Sequence, residues 1–165
     1  MAIVVSIIER IMRSVDGSAF LVIENSAGGG QKIGSSIKEI GEIIRRVGDQ
    51  RVKMCFDTAH AFEAGIIESY TTKNIATLVS DIKKYVGIEK LAALHVNDSK
   101  SPFNSHHDRH ENIGEGYLGL GAFKNLLRER TFIAPAWILE VPGYDGNGPD
   151  KKNVDALKSL EPILK

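Results

Sequence analysis

The chain has 165 residues, 42% of them hydrophobic and 25% charged, which places it among ordinary globular domains and excludes an intrinsically disordered protein. Its 21 Lys and Arg balance 21 Asp and Glu, so no whole-molecule positive field draws in nucleic acid, and any polyanion has to be held locally. Cys55 is the one cysteine, which excludes an internal disulfide and a Cys-rich zinc module, and the length falls short of the roughly 250 residues of a complete (β/α)8 barrel.

The apolar start, residues 2–8, is too short to span a bilayer and is interrupted at Glu9 and Arg10. It lacks the basic flank and small-residue cleavage site of a signal peptide, so the expected setting is cytoplasmic, without a membrane partner. Val4, Ile7, Ile8 and Ile11 recur at helical spacing and predict an amphipathic helix. Residues 20–24 then form a continuous apolar run ending in Glu24, residues 25–30 break it with three glycines, and Ile33 to Val47 carry a helical apolar face that stops at Gly48. The unit is strand, loop, helix.

It recurs three times. Arg51 to Phe56 precede Asp57, a loop, and a helix predicted over about Thr72–Val86. Leu91 to Val96 enclose His95 and lead through a long polar loop to a helix predicted over 120–130. Ala136 to Leu139 lead into Glu140, a Pro/Gly/Asn/Asp-rich loop, and a helix predicted over about Asn153–Leu164. Four consecutive βα units imply an α/β fold with a parallel sheet covered by helices through right-handed crossovers.

Glu24, Asp57, His95 and Glu140 each fall at or near the C-terminal end of a strand, where parallel α/β folds build their sites. Three carboxylates crowded on one rim raise one another's pKa and resist desolvation, so something positive must offset them. No basic residue occupies the matching strand ends, whereas a divalent cation suits oxygen and imidazole ligands. The alternative is four separate polar residues, each capping a helix or bonding a loop. His60, three residues after Asp57, adds an imidazole aimed at a neighbouring point, unless Asp57 only N-caps the segment and His60 is an ordinary rim histidine. Asp108 and His110 flank Arg109 and project to the same side of extended backbone, a pair that chelates one ion if the loop is not simply solvated. His106 and His107 read as exposed, Glu115 as structural, Gly28–Gly30 as a flexible loop and Cys55 as a packed thiol.

Three segments, Ile23-Glu24-Asn25-Ser26-Ala27-Gly28, Cys55-Phe56-Asp57-Thr58-Ala59-His60-Ala61-Phe62 and Leu94-His95-Val96-Asn97-Asp98-Ser99-Lys100, followed by Asp108-Arg109-His110, Gly114-Glu115-Gly116 and Ile138-Leu139-Glu140, resemble the endonuclease IV family in order and composition. The resemblance spans nearly the whole chain. It implies a trinuclear zinc phosphodiesterase on a TIM barrel that cuts DNA on the 5′ side of an abasic site and leaves a 3′-hydroxyl. Carried over by motif, Glu24 bridges two zincs, Asp57, His95 and Glu140 complete one of them, and His60, Asp108 and His110 hold a third; Glu24, Asp57, His95 and Glu140 are the catalytic set. Six positive charges against four carboxylates leave the intact site about two units positive, enough to grip a phosphate on a protein of zero net charge. Lys100 and Arg109 are candidates for added phosphate contacts.

Family members are longer, and their earlier strands supply two further histidines. The chain therefore resembles one domain, residues 1–165, made of the C-terminal half of such a barrel, with at most two zincs expected to bind tightly. Four parallel strands with open edges predict self-association or pairing with an N-terminal half. Two rival functions stand beside the nuclease: a divalent-metal sugar isomerase or epimerase, which has no use for His60, Asp108 and His110, and a catalytically inactive half-barrel.

Overall fold

A computed structural model describes residues 1–30 and 32–160. In chain order these residues form α1 (Ala2–Ser14), β1 (Leu21–Glu24), α2 (Ile37–Val47), β2 (Val52–Asp57), α3 (Thr58–Glu63), α4 (Thr72–Tyr85), β3 (Leu91–His95), β4 (Asp98–Ser99), β5 (His110–Glu111), α5 (Gly119–Leu126), β6 (Ala136–Ile138) and α6 (Lys151–Lys158). Strands β1, β2, β3 and β6 lie side by side in sequence order, every pair parallel, which is the arrangement of consecutive βα units in a barrel wall. A two-residue antiparallel ribbon, β4 with β5, folds the long loop after β3 back on itself.

The pleat sorts the sheet into two faces. Ile23, Met54, Phe56, Leu94 and Trp137 join the apolar core, along with Ile40, Ile43 and Ile44 of α2 and Ile75, Leu78 and Ile82 of α4. The alternate positions carry Val22 and Glu24 on β1, Cys55 and Asp57 on β2, His95 on β3 and Ile138 on β6; Glu24 is in register with Cys55, and Asp57, His95 and Ile138 with one another. The face that escapes the helices is thus the face that bears the acids and the imidazole. Val22 and Ile138 on it stay exposed, at 41% and 43%.

Helix boundaries follow local hydrogen bonding. The helix predicted from Ile33 begins at Ile37, because Gly34 takes a left-handed φ of 93° and the Ser36 hydroxyl caps by accepting the Glu39 N–H. It ends at Gly48, whose φ of 71° lets its N–H return to the Ile44 carbonyl. The helix predicted over 120–130 stops at Leu126, where Arg128 and Glu129 N–H groups turn to carbonyls three residues back. The last helix starts two residues earlier than predicted, at Lys151, capped by Asp150; its predicted end, Leu164, lies outside the described residues.

Two further expectations are corrected. The segment after Asp57, read as loop, begins with α3, one and a half turns whose six residues are all buried and so show no amphipathic period. In α1 the core-facing residues are Val5, Ile8 and Met12, while Ile3, Ile7 and Ile11 point outward, so the helix is apolar on both sides. Among the described residues no helix is long and apolar enough to cross a membrane.

Candidate metal centre

Glu24 and His95 are the last residues of β1 and β3, Asp57 is the last of β2, and Glu140 follows β6 by two residues. His95 Nδ1 lies 3.0 Å from Glu24 Oε1, 3.0 Å from Glu140 Oε2 and 4.0 Å from Asp57 Oδ2. One ligand atom from each of the four falls within 4.8 Å of the others. The strand ends therefore converge rather than serving separate caps. Asp57 nevertheless does cap α3: its Oδ1 accepts the His60 N–H at 2.7 Å, and its side chain is fully buried. One carboxylate does both jobs because its second oxygen faces the cluster.

A second group adjoins the first. Capping by Asp57 turns α3 so that His60 Nδ1 lies 2.9 Å from the Asn25 carbonyl and 3.1 Å from Glu24 Oε1, while Nε2 stands 3.2 Å from Asp108 Oδ1. The β4–β5 ribbon carries His110 in, with Nε2 at 3.8 Å from Asp57 Oδ2 and 4.0 Å from Asp108 Oδ1, and Nδ1 at 3.4 Å from the Glu140 carbonyl. The residues expected to form one outer set assemble as two overlapping trios: Asp57, His60 and His110, and His60, Glu63 and Asp108. His106 and His107 are exposed, Lys100 pairs with Glu111 at 3.3 Å, and Arg109 is exposed and donates to the Asp108 carbonyl. The Glu115 carboxylate accepts the Tyr144 hydroxyl at 2.7 Å, tying two rim loops together.

Buried amides hold the strand ends in place. Asn25 and the backbone of Asp57 exchange two hydrogen bonds, at 2.8 and 3.0 Å. Asn97 donates from Nδ2 to Asp57 Oδ2 at 2.6 Å and accepts the Glu140 N–H at 2.8 Å. Behind the ribbon, the Asp98 carboxylate collects backbone N–H groups from Ser99, Gly114, Gly116, Leu118 and Gly119. Glu63, at the end of α3, is fully buried and accepts the Ser99 hydroxyl at 2.6 Å. Sequence reasoning gave none of these four a role. Asn25, Asn97 and Asp98 lie inside the quoted motif segments, whereas nothing in the sequence signals Glu63.

The acids and imidazoles of the two groups perturb one another strongly. Burial pushes Glu24 up, but the His60 and His95 imidazoles beside its Oε1 outweigh it and hold the carboxyl down to about 2. Desolvation lowers His60, yet Glu24, Asp57 and Asp108 raise it to about 10. Cys55 and Glu24 raise His95 well above its ordinary range, and burial raises Asp57. Five buried side-chain atoms lack a hydrogen-bond partner among the described residues: Glu24 Oε1, His60 Nε2, Glu63 Oε2, His95 Nδ1 and His110 Nε2. Orphaned buried polar atoms are costly and need an explanation, and cations held in the clusters to which these residues belong would supply one.

The profile of the xylose isomerase-like TIM barrel family matches residues 8–163. The chain belongs to this family. Among its relatives within the TIM-barrel family, "Probable endonuclease 4" of Carboxydothermus hydrogenoformans is 35% identical over 156 residues, covering 94% of the chain and 54% of the relative. Endonuclease IV from Thermus thermophilus superposes with a TM-score of 0.74 at 26% identity over 91% of the chain and 52% of that structure. A D-tagatose 3-epimerase-like protein shares the fold, with a TM-score of 0.60 at 20% identity, over 94% of the chain and 51% of that protein. The chain thus spans about half the length of the relatives it matches, and its motif resemblance to endonuclease IV extends across that half.

Proposed function

We propose that the chain carries the metal-binding strand ends of a zinc-dependent DNA-repair deoxyribonuclease that incises 5′ to abasic sites and leaves a 3′-hydroxyl. The observation that carries this reading is the second cluster: His60, Asp108 and His110 stand beside the quartet of Glu24, Asp57, His95 and Glu140, and a one-ion sugar isomerase has no use for them. Glu24, Asp57, His95 and Glu140 would hold one zinc, and His60, Asp108 and His110 a second. His60 fits a ligand's role, since Nδ1 donates to the Asn25 carbonyl and leaves Nε2 free. Bound zinc supplies a nucleophile from water at neutral pH and offsets charge on the attacked phosphate.

The protein's own part is to gather and orient. Asn25 and Asn97 fix the Asp57 end of β2 against its neighbours, and Asn97 also fixes Glu140, so the acids keep their spacing while cations come and go. Glu24 stays ionised through most of the pH range and keeps its negative charge available. The exposed Lys100 and Arg109 lie on the same loop as Asp108 and would add phosphate contacts, a local grip on DNA for an electrically neutral chain. Glu24 alone cannot hold a third zinc, so at most two tightly bound zincs are expected. A cytoplasmic setting, and self-association or pairing with an N-terminal half-barrel, belong to this reading.

The test is incision of a duplex bearing one abasic site by the wild type and Glu140→Gln, each with and without a chelator. Incision by the wild type alone, abolished by chelation, is the expected result. Ketose turnover with manganese and no incision would establish the isomerase instead, and zinc binding without either activity would establish an inactive half-barrel.

A further inference from the structure

We propose that Glu63 is an additional ligand of the outer ion, joining His60 and Asp108. The inference rests on the metal-centre reading above and adds a residue to it. Glu63 is the C-terminal residue of α3, one turn beyond His60, so the two side chains project from the same side of the helix. Its side chain is fully buried, and its two oxygens have different fates. Oε1 accepts the Ser99 hydroxyl at 2.6 Å and the Arg109 N–H at 3.3 Å; Oε2 has no partner among the described residues.

Ligand atoms of His60, Glu63 and Asp108 all lie within 4.8 Å of one another. A carboxylate oriented through one oxygen by the surrounding protein, with the other oxygen free beside an imidazole nitrogen and a second carboxylate, is how metal-ligating acids are commonly supported. An ionised carboxylate buried without a cation would be costly, and neither donor at Oε1 is a charged side chain. Arg109 contributes only its backbone N–H, its guanidinium being turned outward toward the Asp108 carbonyl.

The chemical consequence is a more acidic outer position. An ion between His60 and Asp108 would gain in Glu63 a third protein donor, one that the His60, Asp108 and His110 set lacks. An ion held there would fasten the loop carrying Asp108 to α3.

The test reads metal directly. Wild type, Glu63→Gln and Glu63→Asp are equilibrated in zinc buffers, and bound zinc is counted by atomic emission while a chromophoric chelator competes for it. Glu63→Gln keeps the Oε1 acceptor for Ser99 and Arg109 but removes the charge; Glu63→Asp keeps the charge and shortens the reach. The expected result is two zincs on the wild type, with the weaker site in both variants loosened by about 10–100-fold. Should Glu63→Gln not fold, loosening in Glu63→Asp carries the proposal alone. Wild-type affinity in every variant that folds overturns it while leaving the nuclease reading intact, and a wild type that takes up no zinc overturns both.

Discussion

Asn97 joins two strand ends that share no backbone hydrogen bond: its amide donates to Asp57 Oδ2 at 2.6 Å and its carbonyl accepts the Glu140 N–H at 2.8 Å. Asn97 itself is wholly buried. Replacing it with Ala leaves the Glu140 N–H without this acceptor and Asp57 Oδ2 without its donor, and is expected to destabilise the metal-free fold by about 1–3 kcal/mol. Zinc affinity at the quartet should fall about 10–100-fold, as it does when supporting partners of metal ligands are lost. Urea unfolding of the stripped protein and chelator competition on the loaded protein check the two effects separately.

Stability of the metal-free chain should fall as pH rises from about 6.5 to about 10. His60 is held at about 10 against an ordinary 6.5, so its contribution is complete below 6.5 and is lost as pH climbs through 10. Asp57, raised by burial above its ordinary 3.8, works in the same direction, because its ionised form is disfavoured in the fold. Glu24, held at about 2 against 4.5, contributes above 4.5 and loses that contribution only as pH falls toward 2. Zinc reverses the trend: it competes with the protons on His60 and His95, so the stabilisation it gives grows with pH. A urea midpoint for the metal-free chain that climbs between pH 6.5 and 10 would contradict the ion pairing described for His60.

Gly41 of α2 faces the backbone of Tyr85 at the end of α4, and a methyl group there would collide with the Tyr85 carbonyl oxygen. Gly41→Ala improves helix propensity yet forces the two helices apart, and a net loss of about 1–3 kcal/mol is expected from the overpacking. Thermal unfolding of the two proteins measures it; an unchanged or raised midpoint would show that the α2–α4 crossing has slack.

Both outer strands of the parallel sheet, β1 and β6, have one edge unpaired among the described residues, and each carries an exposed apolar side chain, Val22 and Ile138. Exposed apolar strand edges pair with other chains. Light scattering at micromolar concentration should give a mass above that of one chain, and a persistent monomer would count against edge pairing.

The strands were readable because buried parallel strands appear as unbroken apolar runs, and the quartet was readable because charge at the end of such a run is conspicuous: Glu24, Asp57 and Glu140 each interrupt or follow one. The α3 helix was not readable, since six residues buried on every side leave no polar face to set a period. Glu63 was hidden with it. The paired roles of Asn25 and Asn97 depend on partners more than 30 residues away, and Gly41 on a helix crossing, neither of which local pattern encodes. The split of the outer residues into two trios arose for the same reason: how far His60 leans toward Asp57 or Asp108 is decided by the cap on α3 and the lie of the ribbon.

The single carboxylate of Asp98 gathers both ends of the segment that delivers Asp108 and His110, holding Ser99 on one side and Gly114 through Gly119 on the other. That arrangement behaves like a drawstring: the neck is cinched at one atom pair, so α5 keeps its anchor to β4 independently of the bag beyond it, which is pinned in its own right where it carries Asp108 and His110. A new recognition element grafted onto the chain would therefore go into the largely exposed residues 102–107, ahead of Asp108 and His110.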